Sequence, residues 1–171
     1  PGAGSVVVRS SEGLKVAVLN VEGRVFMRPV DCPFRAAENE IELLSKDTSI
    51  ILVDIHAEAT SEKIAMGRFL DGKVSAVVGT HTHVQTADDQ IFPGGTAYIT
   101  DVGMTGPYDS VIGVEKSRAL ERFLTQRPVR FFPATGDVRL AGVSVDVCPV
   151  SGRAESIQRI LVREDGGEEP D

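Results

Sequence analysis

The chain is organised around the stretch Val77-Val-Gly-Thr-His-Thr-His-Val-Gln-Thr86, in which two histidines follow an apolar run. Val74, Val77 and Val78 predict a buried strand, because β-branched side chains favour extended backbone. Gly79 allows the chain to turn where this run ends. In extended backbone, side chains two residues apart point to the same face, so we expect the rings of His81 and His83 to lie side by side.

A second apolar run, Ile50-Ile-Leu-Val-Asp-Ile-His56, ends on the third histidine of the chain. Each histidine therefore follows a predicted strand, and open α/β sheets place their binding sites at that edge. Three neutral imidazoles favour a transition metal over magnesium, which prefers oxygen ligands. A His-x-His pair also occurs in many proteins without metals, so surface or hydrogen-bonded histidines remain the alternative at this point.

A centre with two metals needs carboxylates or amides in addition to these imidazoles. Asp54, Glu58, Asp101 and Asp109 are the candidates, and each is also a candidate cap, turn residue or supporting hydrogen-bond partner. Asp54 lies two residues before His56, on the same face of the predicted strand, where its carboxylate could orient the histidine ring.

The composition is that of an ordinary globular domain, with 171 residues, 42% hydrophobic residues and a net charge of −7. The negative charge argues against nonspecific binding to nucleic acid, which requires clustered lysine and arginine. Cys32 and Cys148 have no metal-type spacing, so we expect free thiols and a cytoplasmic location. No run of residues predicts a membrane span or a signal peptide.

Hydrophobic periodicity predicts alternating strands and helices, followed by a run of strands, which indicates an α/β layered domain. A hairpin is predicted around the turn at 11–13, and a glycine-rich loop spans 101–110. The predicted strands are 5–9, 14–20, 50–55, 74–78, 96–100, 130–132, 138–147 and 157–163, and the predicted helices begin near Pro33 and span 62–70 and 114–125.

Five blocks of this sequence carry a resemblance to a known family: Arg24–Met27, Asp31–Ala37, His56–Lys63, Gly79–Thr86 and Ile99–Gly113. In this order they closely resemble the YmdB-like metallophosphoesterases, a bacterial branch of the calcineurin-like superfamily. The resemblance implies a layered β-sandwich of two sheets flanked by helices. It further implies that residues 1–163 form the C-terminal portion of a metallophosphoesterase domain, and we expect the acidic tail at 164–171 to be disordered.

The resemblance also implies a hydrolase of phosphodiesters, with 2′,3′-cyclic nucleotides among its substrates and two divalent transition metals (Mn, Fe or Zn) that activate water. His56, His81 and His83 match the histidine ligands of the family. The other ligands and the general-acid histidine belong to an N-terminal portion that is missing here, so we expect no catalytic residue in this chain. Residues that could line the substrate side or support the ligands are Asp54, Asp101, Thr105, Tyr108, Asp109 and Ser110, although the loop at 106–109 could equally be a structural turn.

The expected partners are a small phosphoester or cyclic nucleotide, together with the missing N-terminal segment or a complementary chain. A homo-oligomer is compatible with the sequence, whereas a membrane is not expected. The competing interpretation is a noncatalytic binding or regulatory module of the same fold that acts through a partner. An amidohydrolase-type barrel also uses His-x-His, but it typically needs about 250 residues.

Overall fold

The structure is a computed structural model that describes residues 2–164. Pro1 and the residues after Glu164 lie outside this range, so the disorder expected for the tail stays a prediction. The strands are β1 (Ser5–Arg9), β2 (Lys15–Glu22), β3 (Ile51–His56), β4 (Ala76–Thr80), β5 (Gln90–Ile91), β6 (Ala97–Ile99), β7 (Thr105–Pro107), β8 (Val138–Val147) and β9 (Ala154–Arg163), and the helices are α1 (Pro33–Leu44), α2 (Thr60–Leu70) and α3 (Lys116–Thr125).

A six-stranded sheet in the order β1-β2-β3-β4-β6-β5 forms the centre of the molecule. The inner strands β2, β3, β4 and β6 run parallel, and β1 and β5 pair antiparallel at the two edges. The predicted hairpin is thus confirmed as β1–β2. Along the register, His56 lies opposite Glu22 on β2 and opposite Thr80 on β4. Three neighbouring parallel strands therefore end at nearly the same level, and their last residues form one edge.

Helices α1 and α2 cover one face of this sheet. Strand β3 explains how, because its alternate residues Ile51, Val53 and Ile55 are buried in the core shared with the helices. The helix contribution includes Ile41 from α1 and Met66 from α2. Since side chains alternate along a strand, Asp54 and His56 point to the opposite face. The same alternation that builds the core thus delivers two polar side chains to the site.

The other face of the large sheet packs against a second, antiparallel sheet in the order β7-β8-β9. Small side chains form the contact between the sheets, with Ala76 and Ala97 meeting Ala154 on β9. Val145 and Ile157 pack against the same cluster. Two packed sheets with helices on an outer face confirm the predicted α/β layered sandwich.

Two details differ from the sequence prediction. Residues 130–132 form no strand, because Phe132 and Pro133 make only isolated backbone contacts with Glu115 and Val114. Proline on either side of this segment, at positions 128 and 133, removes the N–H groups that a continuous ladder needs. Strands β5 and β7, which contain only two and three residues, were not predicted, since such short segments have no resolvable period.

Within residues 2–164, no helix combines the length and the apolar character that a membrane crossing demands. Cys32 and Cys148 are unpaired, as the sequence predicted.

Candidate metal centre at the strand ends

Two of the three histidines meet at the edge of the large sheet. His56 is the last residue of β3, and His81 follows the end of the neighbouring strand β4. The Nε2 atom of His56 lies 3.0 Å from Nδ1 of His81, and the rings meet edge to face at 88°. On its other side, Nε2 of His81 lies 3.0 Å from a carboxylate oxygen of Glu58. Two imidazoles and a carboxylate therefore neighbour one another at the ends of adjacent parallel strands.

Hydrogen bonds around His56 fix its tautomer. The hydroxyl of Thr80 donates to Oδ1 of Asp54 at 2.8 Å, and it lies 3.0 Å from Nδ1 of His56. Because a hydroxyl has a single proton, Thr80 must accept from His56, which places the ring proton on Nδ1. Asn20 holds the second oxygen of Asp54 at 2.7 Å. The lone pair of a neutral His56 therefore lies on Nε2 and points towards His81, which is the form that binds a metal.

The contacts of His81 call for a positive charge. Its Nδ1 faces the lone pair of His56, and its Nε2 faces the carboxylate of Glu58. Both neighbours are acceptors, and a neutral imidazole has only one N–H to donate. Either a second proton on His81 or a cation between these atoms satisfies the arrangement.

The distances also suit a metal ion. Two nitrogen ligands on a tetrahedral zinc, each at about 2.0–2.1 Å, are roughly 3.4 Å apart, which is close to the observed nitrogen separation. Imidazole and carboxylate are both common ligands of divalent transition metals. The residues present at the edge thus fit such an ion. Within residues 2–164, no three His, Cys, Asp or Glu side chains form a ready-made ligand group.

The prediction that His81 and His83 lie side by side on extended backbone is wrong. Both residues have positive φ, 104° for His81 and 65° for His83, so the chain turns sharply at each of them. His83 is exposed, and its Nδ1 lies 3.0 Å from the carbonyl oxygen of Ile112. Since a carbonyl only accepts, Nδ1 carries the proton here too, and neutral His83 keeps its lone pair on Nε2.

A buried ion pair holds this turn in place. Lys63 on α2 donates to Oδ2 of Asp101 at 2.8 Å, and both side chains are almost completely buried. The same oxygen accepts the backbone N–H of Thr82 at 3.0 Å and its hydroxyl at 2.7 Å. Gly103 N–H donates to the other oxygen at 2.9 Å. Thr82 stands between the two histidines, so the pair fixes the backbone that carries them.

The electrostatics of Asp101 follow from these contacts. Burial by itself would raise the pKa of Asp101, but hydrogen bonds from Lys63, Thr82 and Gly103 outweigh it and lower the pKa. The carboxylate is inaccessible, with no exposed surface. The structure shows Asp101 supporting the histidine turn, and its roles as a metal ligand or on the substrate side stay predictions.

The chain after the histidines is tied down at several points that sequence reasoning did not identify. The carboxylate of Asp88 accepts hydrogen bonds from the hydroxyls of Thr86 and Thr100 and from the backbone N–H of Thr100. The amide nitrogen of Gln85 lies within hydrogen-bond distance of three backbone carbonyls, on Val102, on β8 and on β9. Gln85 thereby links the histidine turn to the second sheet. In the sequence, Asp88 and Gln85 are ordinary polar residues of a loop, and nothing in their pattern predicts these contacts.

The glycine-rich segment uses most of its predicted site residues for its own structure. Thr105 belongs to strand β7 rather than to a loop, with its backbone paired to Leu140. Ser110 donates to the carbonyl of Pro107 and accepts the N–H of Gly113, which describes a structural turn. Asp109 pairs with Lys116 at the surface. A contact of these residues with substrate stays a prediction.

Tyr108 in the same segment is half-buried. Its hydroxyl donates to the carbonyl of Met104 at 3.3 Å, and the guanidinium of Arg139 lies 5.0 Å from its ring centroid. Burial raises the pKa of Tyr108, so its hydroxyl stays protonated at neutral pH. Tyr108 can therefore donate a hydrogen bond but does not act as a base.

The segment 23–28, between β2 and α1, borders the histidines from the other side. Gly23 N–H donates to the carbonyl of His56 at 2.9 Å. Glu62, which is buried on α2, accepts the N–H groups of Arg24 and Val25. A Cβ atom at Gly23 would lie 2.5 Å from both Ala57 Cβ and a Glu62 oxygen, so only glycine allows this close approach. These contacts hold the segment 23–28 in a fixed position beside the histidines.

Comparisons with known proteins point to one family. A family model described as YmdB-like protein matches residues 1–160. A 2′,3′-cyclic-nucleotide 2′-phosphodiesterase of Bacillus subtilis (strain 168) is 51% identical over 96% of this chain, which covers 62% of the Bacillus protein. The chain therefore spans less than two thirds of the length of this relative.

Two solved structures share the fold. A hypothetical protein from Thermus thermophilus is 44% identical with a TM-score of 0.89, over 96% of this chain and 63% of that one. A phosphatase of Mycoplasma pneumoniae is 35% identical with a TM-score of 0.85, over 99% of this chain and 59% of the other. At these identities the likeness extends beyond architecture to sequence.

Proposed function

This chain belongs to the family of YmdB-like proteins, and on that premise we propose that it forms part of a metal-dependent phosphoesterase that hydrolyses 2′,3′-cyclic nucleotides. The name of the Bacillus relative supports the substrate class. The observation that carries the proposal is the approach of His56 Nε2 to Nδ1 of His81 at the ends of two parallel strands, with the Glu58 carboxylate at the other nitrogen of His81. A cation between these atoms would satisfy their contacts, and a divalent cation is what promotes attack on a phosphodiester.

His56, His81 and His83 would hold metal, with Glu58 as the neighbouring carboxylate. Divalent metals, when bound, lower the pKa of water so that it can act as a nucleophile, and they neutralise the negative charge of the phosphate. Manganese, iron and zinc suit a donor set of imidazole and carboxylate. We expect the remaining metal ligands and the general acid to come from the N-terminal portion of the full-length polypeptide or from a complementary chain.

The chain's own residues prepare the ligands. Asp54 and Thr80 keep the proton of His56 on Nδ1 and hold the ring in one orientation, so that no rearrangement is needed when metal binds. Lys63 and Asp101 fix Thr82, and with it the backbone between His81 and His83. Such preorganisation reduces the reorganisation that accompanies the reaction.

The test is hydrolysis of 2′,3′-cyclic AMP by the natural full-length polypeptide with added Mn²⁺. We expect turnover in the parent protein and a loss of about 100-fold or more in His81→Ala, since removal of an essential electrostatic group typically costs this much. Ser144→Ala, at an exposed position on β8, is the matched control. Turnover that is unchanged in His81→Ala would refute the proposal.

A second readout separates metal binding from catalysis. Titration with Co²⁺, followed by its visible absorption, should show tight binding to the parent protein and weaker binding to His81→Ala. Binding of Co²⁺ without any phosphodiesterase activity would instead support the noncatalytic module as the function of this fold.

A further inference from the structure

Phe26 is the most unusual exposed side chain near the histidines. It exposes 88% of its surface, and its backbone has φ of 61°. A left-handed conformation is unfavourable for a bulky residue, and it persists only where the surroundings impose it. Exposure of an aromatic ring to water also forgoes the favourable free energy that its burial would provide. The protein therefore maintains two unfavourable features at one position.

The surroundings that impose this conformation are identifiable. Arg24 and Val25, immediately before Phe26, donate their N–H groups to the buried carboxylate of Glu62 at 3.1–3.2 Å. Gly23 is in close contact with Glu62 and Ala57. The buried carboxylate of Glu62 thus fixes the backbone of this short segment, and the ring of Phe26 extends from that fixed backbone.

Both flanks of Phe26 are bonded to residues of the candidate metal centre. Gly23 N–H donates to the carbonyl of His56, three residues before the ring. On the other side, Met27 Sδ accepts the N–H of Glu58 at 3.3 Å, and the carboxylate of Glu58 faces His81. The exposed ring therefore stands at the border of the site where the phosphate would be cleaved.

We propose that Phe26 is the stacking platform for the nucleobase of the substrate. The proposal rests on the proposed function and adds the part of the substrate that the metal centre does not recognise. Every nucleobase has a flat π-face, and exposed aromatic side chains on rigid backbone bind such faces without regard to sequence. A platform of this kind distinguishes a nucleotide from a simple phosphodiester while tolerating different bases.

The test compares two substrates that share the five-membered cyclic phosphodiester, namely 2′,3′-cyclic AMP, which carries a base on its ribose, and glycerol 1,2-cyclic phosphate, which has neither base nor ribose. Both are assayed with the natural full-length polypeptide loaded with Mn²⁺, as parent, Phe26→Ala and Phe26→Tyr. Phe123→Ala is the control, because Phe123 on α3 is also exposed, at 68%. Stacking remote from the reacting bond stabilises substrate and transition state alike, so its loss raises KM and leaves kcat unchanged.

For Phe26→Ala we expect KM for cyclic AMP to rise about tenfold, within the range known for loss of a base–aromatic stack, with KM for the glycerol compound unchanged. Phe26→Tyr, which keeps the ring, and Phe123→Ala should behave as the parent. An equal loss on both substrates would overturn the proposal and would indicate that Phe26 is covered by a partner protein or supports the fold. No change on either substrate would overturn it as well.

Direct binding keeps this test independent of turnover. Calorimetry with 3′-AMP and with ribose 3-phosphate, which lacks only the base, should show tighter binding of the nucleotide to the parent, and Phe26→Ala should lose that difference. A parent protein that binds both ligands equally would contradict the stacking role. A protein that binds the nucleotide through Phe26 but hydrolyses no cyclic nucleotide would refute the proposed function alone.

Discussion

Replacing Lys63 by methionine removes the cation from the buried pair below the histidine turn. The two side chains are 1% and 0% exposed, so neither water nor salt compensates for the loss. Methionine fills the space of the aliphatic stem and leaves Asp101 as an unpaired carboxylate. Breaking a buried pair in this way costs about 3–5 kcal/mol of unfolding free energy. A small domain has about 5–15 kcal/mol in total, so a large part of its stability is at risk.

The assay is urea unfolding at neutral pH, followed by far-UV circular dichroism. Lys73→Met is the matched control, because Lys73 makes an exposed pair with Glu38 at 3.5 Å and should cost less than about 1 kcal/mol. The double variant Lys63→Met/Asp101→Asn removes the stranded charge and keeps an acceptor for Thr82. We expect it to be destabilised by only about 1–3 kcal/mol, the cost of an imperfectly paired polar group. If Lys63→Met were as stable as Lys73→Met, the pair would not anchor the turn.

Three further predictions address the support of the site. Thr80→Val removes the hydroxyl that orients His56, so Co²⁺ affinity should fall about 10–100-fold in a spectroscopic titration, and an unchanged affinity would contradict the assigned tautomer. The pKa of Asp101 is lower in the folded state, so its ionisation stabilises the fold at pH values above the unfolded carboxyl pKa of about 3.9. This stabilisation is lost as the pH falls through the folded pKa. The urea midpoint should therefore decline less steeply on acidification in Asp101→Asn than in the parent. Gln85→Leu removes the two amide N–H groups that lie near three backbone carbonyls, so the unfolding free energy should fall by about 1–2 kcal/mol. A variant as stable as the parent would show that this link between the sheets does not contribute to stability.

The parts of the fold that sequence could predict are those with a strong local period. The apolar run of β3 and its terminal His56 were predicted correctly, because burial on one face leaves an alternation that is visible in the sequence. The hairpin β1–β2 and helix α2 were predicted instead from the residues at their boundaries, namely the turn at 11–13 and the polar residues before and after the helix. Resemblance to a family strengthened the expectation that the three histidines bind metal, which their positions after predicted strands had already suggested.

The geometry of the turn was beyond such reasoning. Nothing local to Thr82 indicates positive φ at its two neighbours, since the cause is Asp101, nineteen positions later, held by Lys63 from a helix. Phe26 was similarly invisible as a strained residue, because Glu62 imposes its conformation from a helix that begins far along the chain. Long-range contacts override local preference at both places, and both border the candidate site.

Gly79 has a consequence for reading other members of the family. A Cβ atom at this position would lie 1.7 Å from the carbonyl oxygen of Thr100 and 2.9 Å from Cδ of Lys63, so no side chain fits where the end of β4 lies beside Thr100. The requirement is architectural and holds whether or not the protein performs any chemistry. A member of the family without hydrolytic activity would need this glycine as much as an active one, because the close approach does not involve the histidines. The glycine therefore reports the shared fold, whereas only residues that hold a metal would report activity.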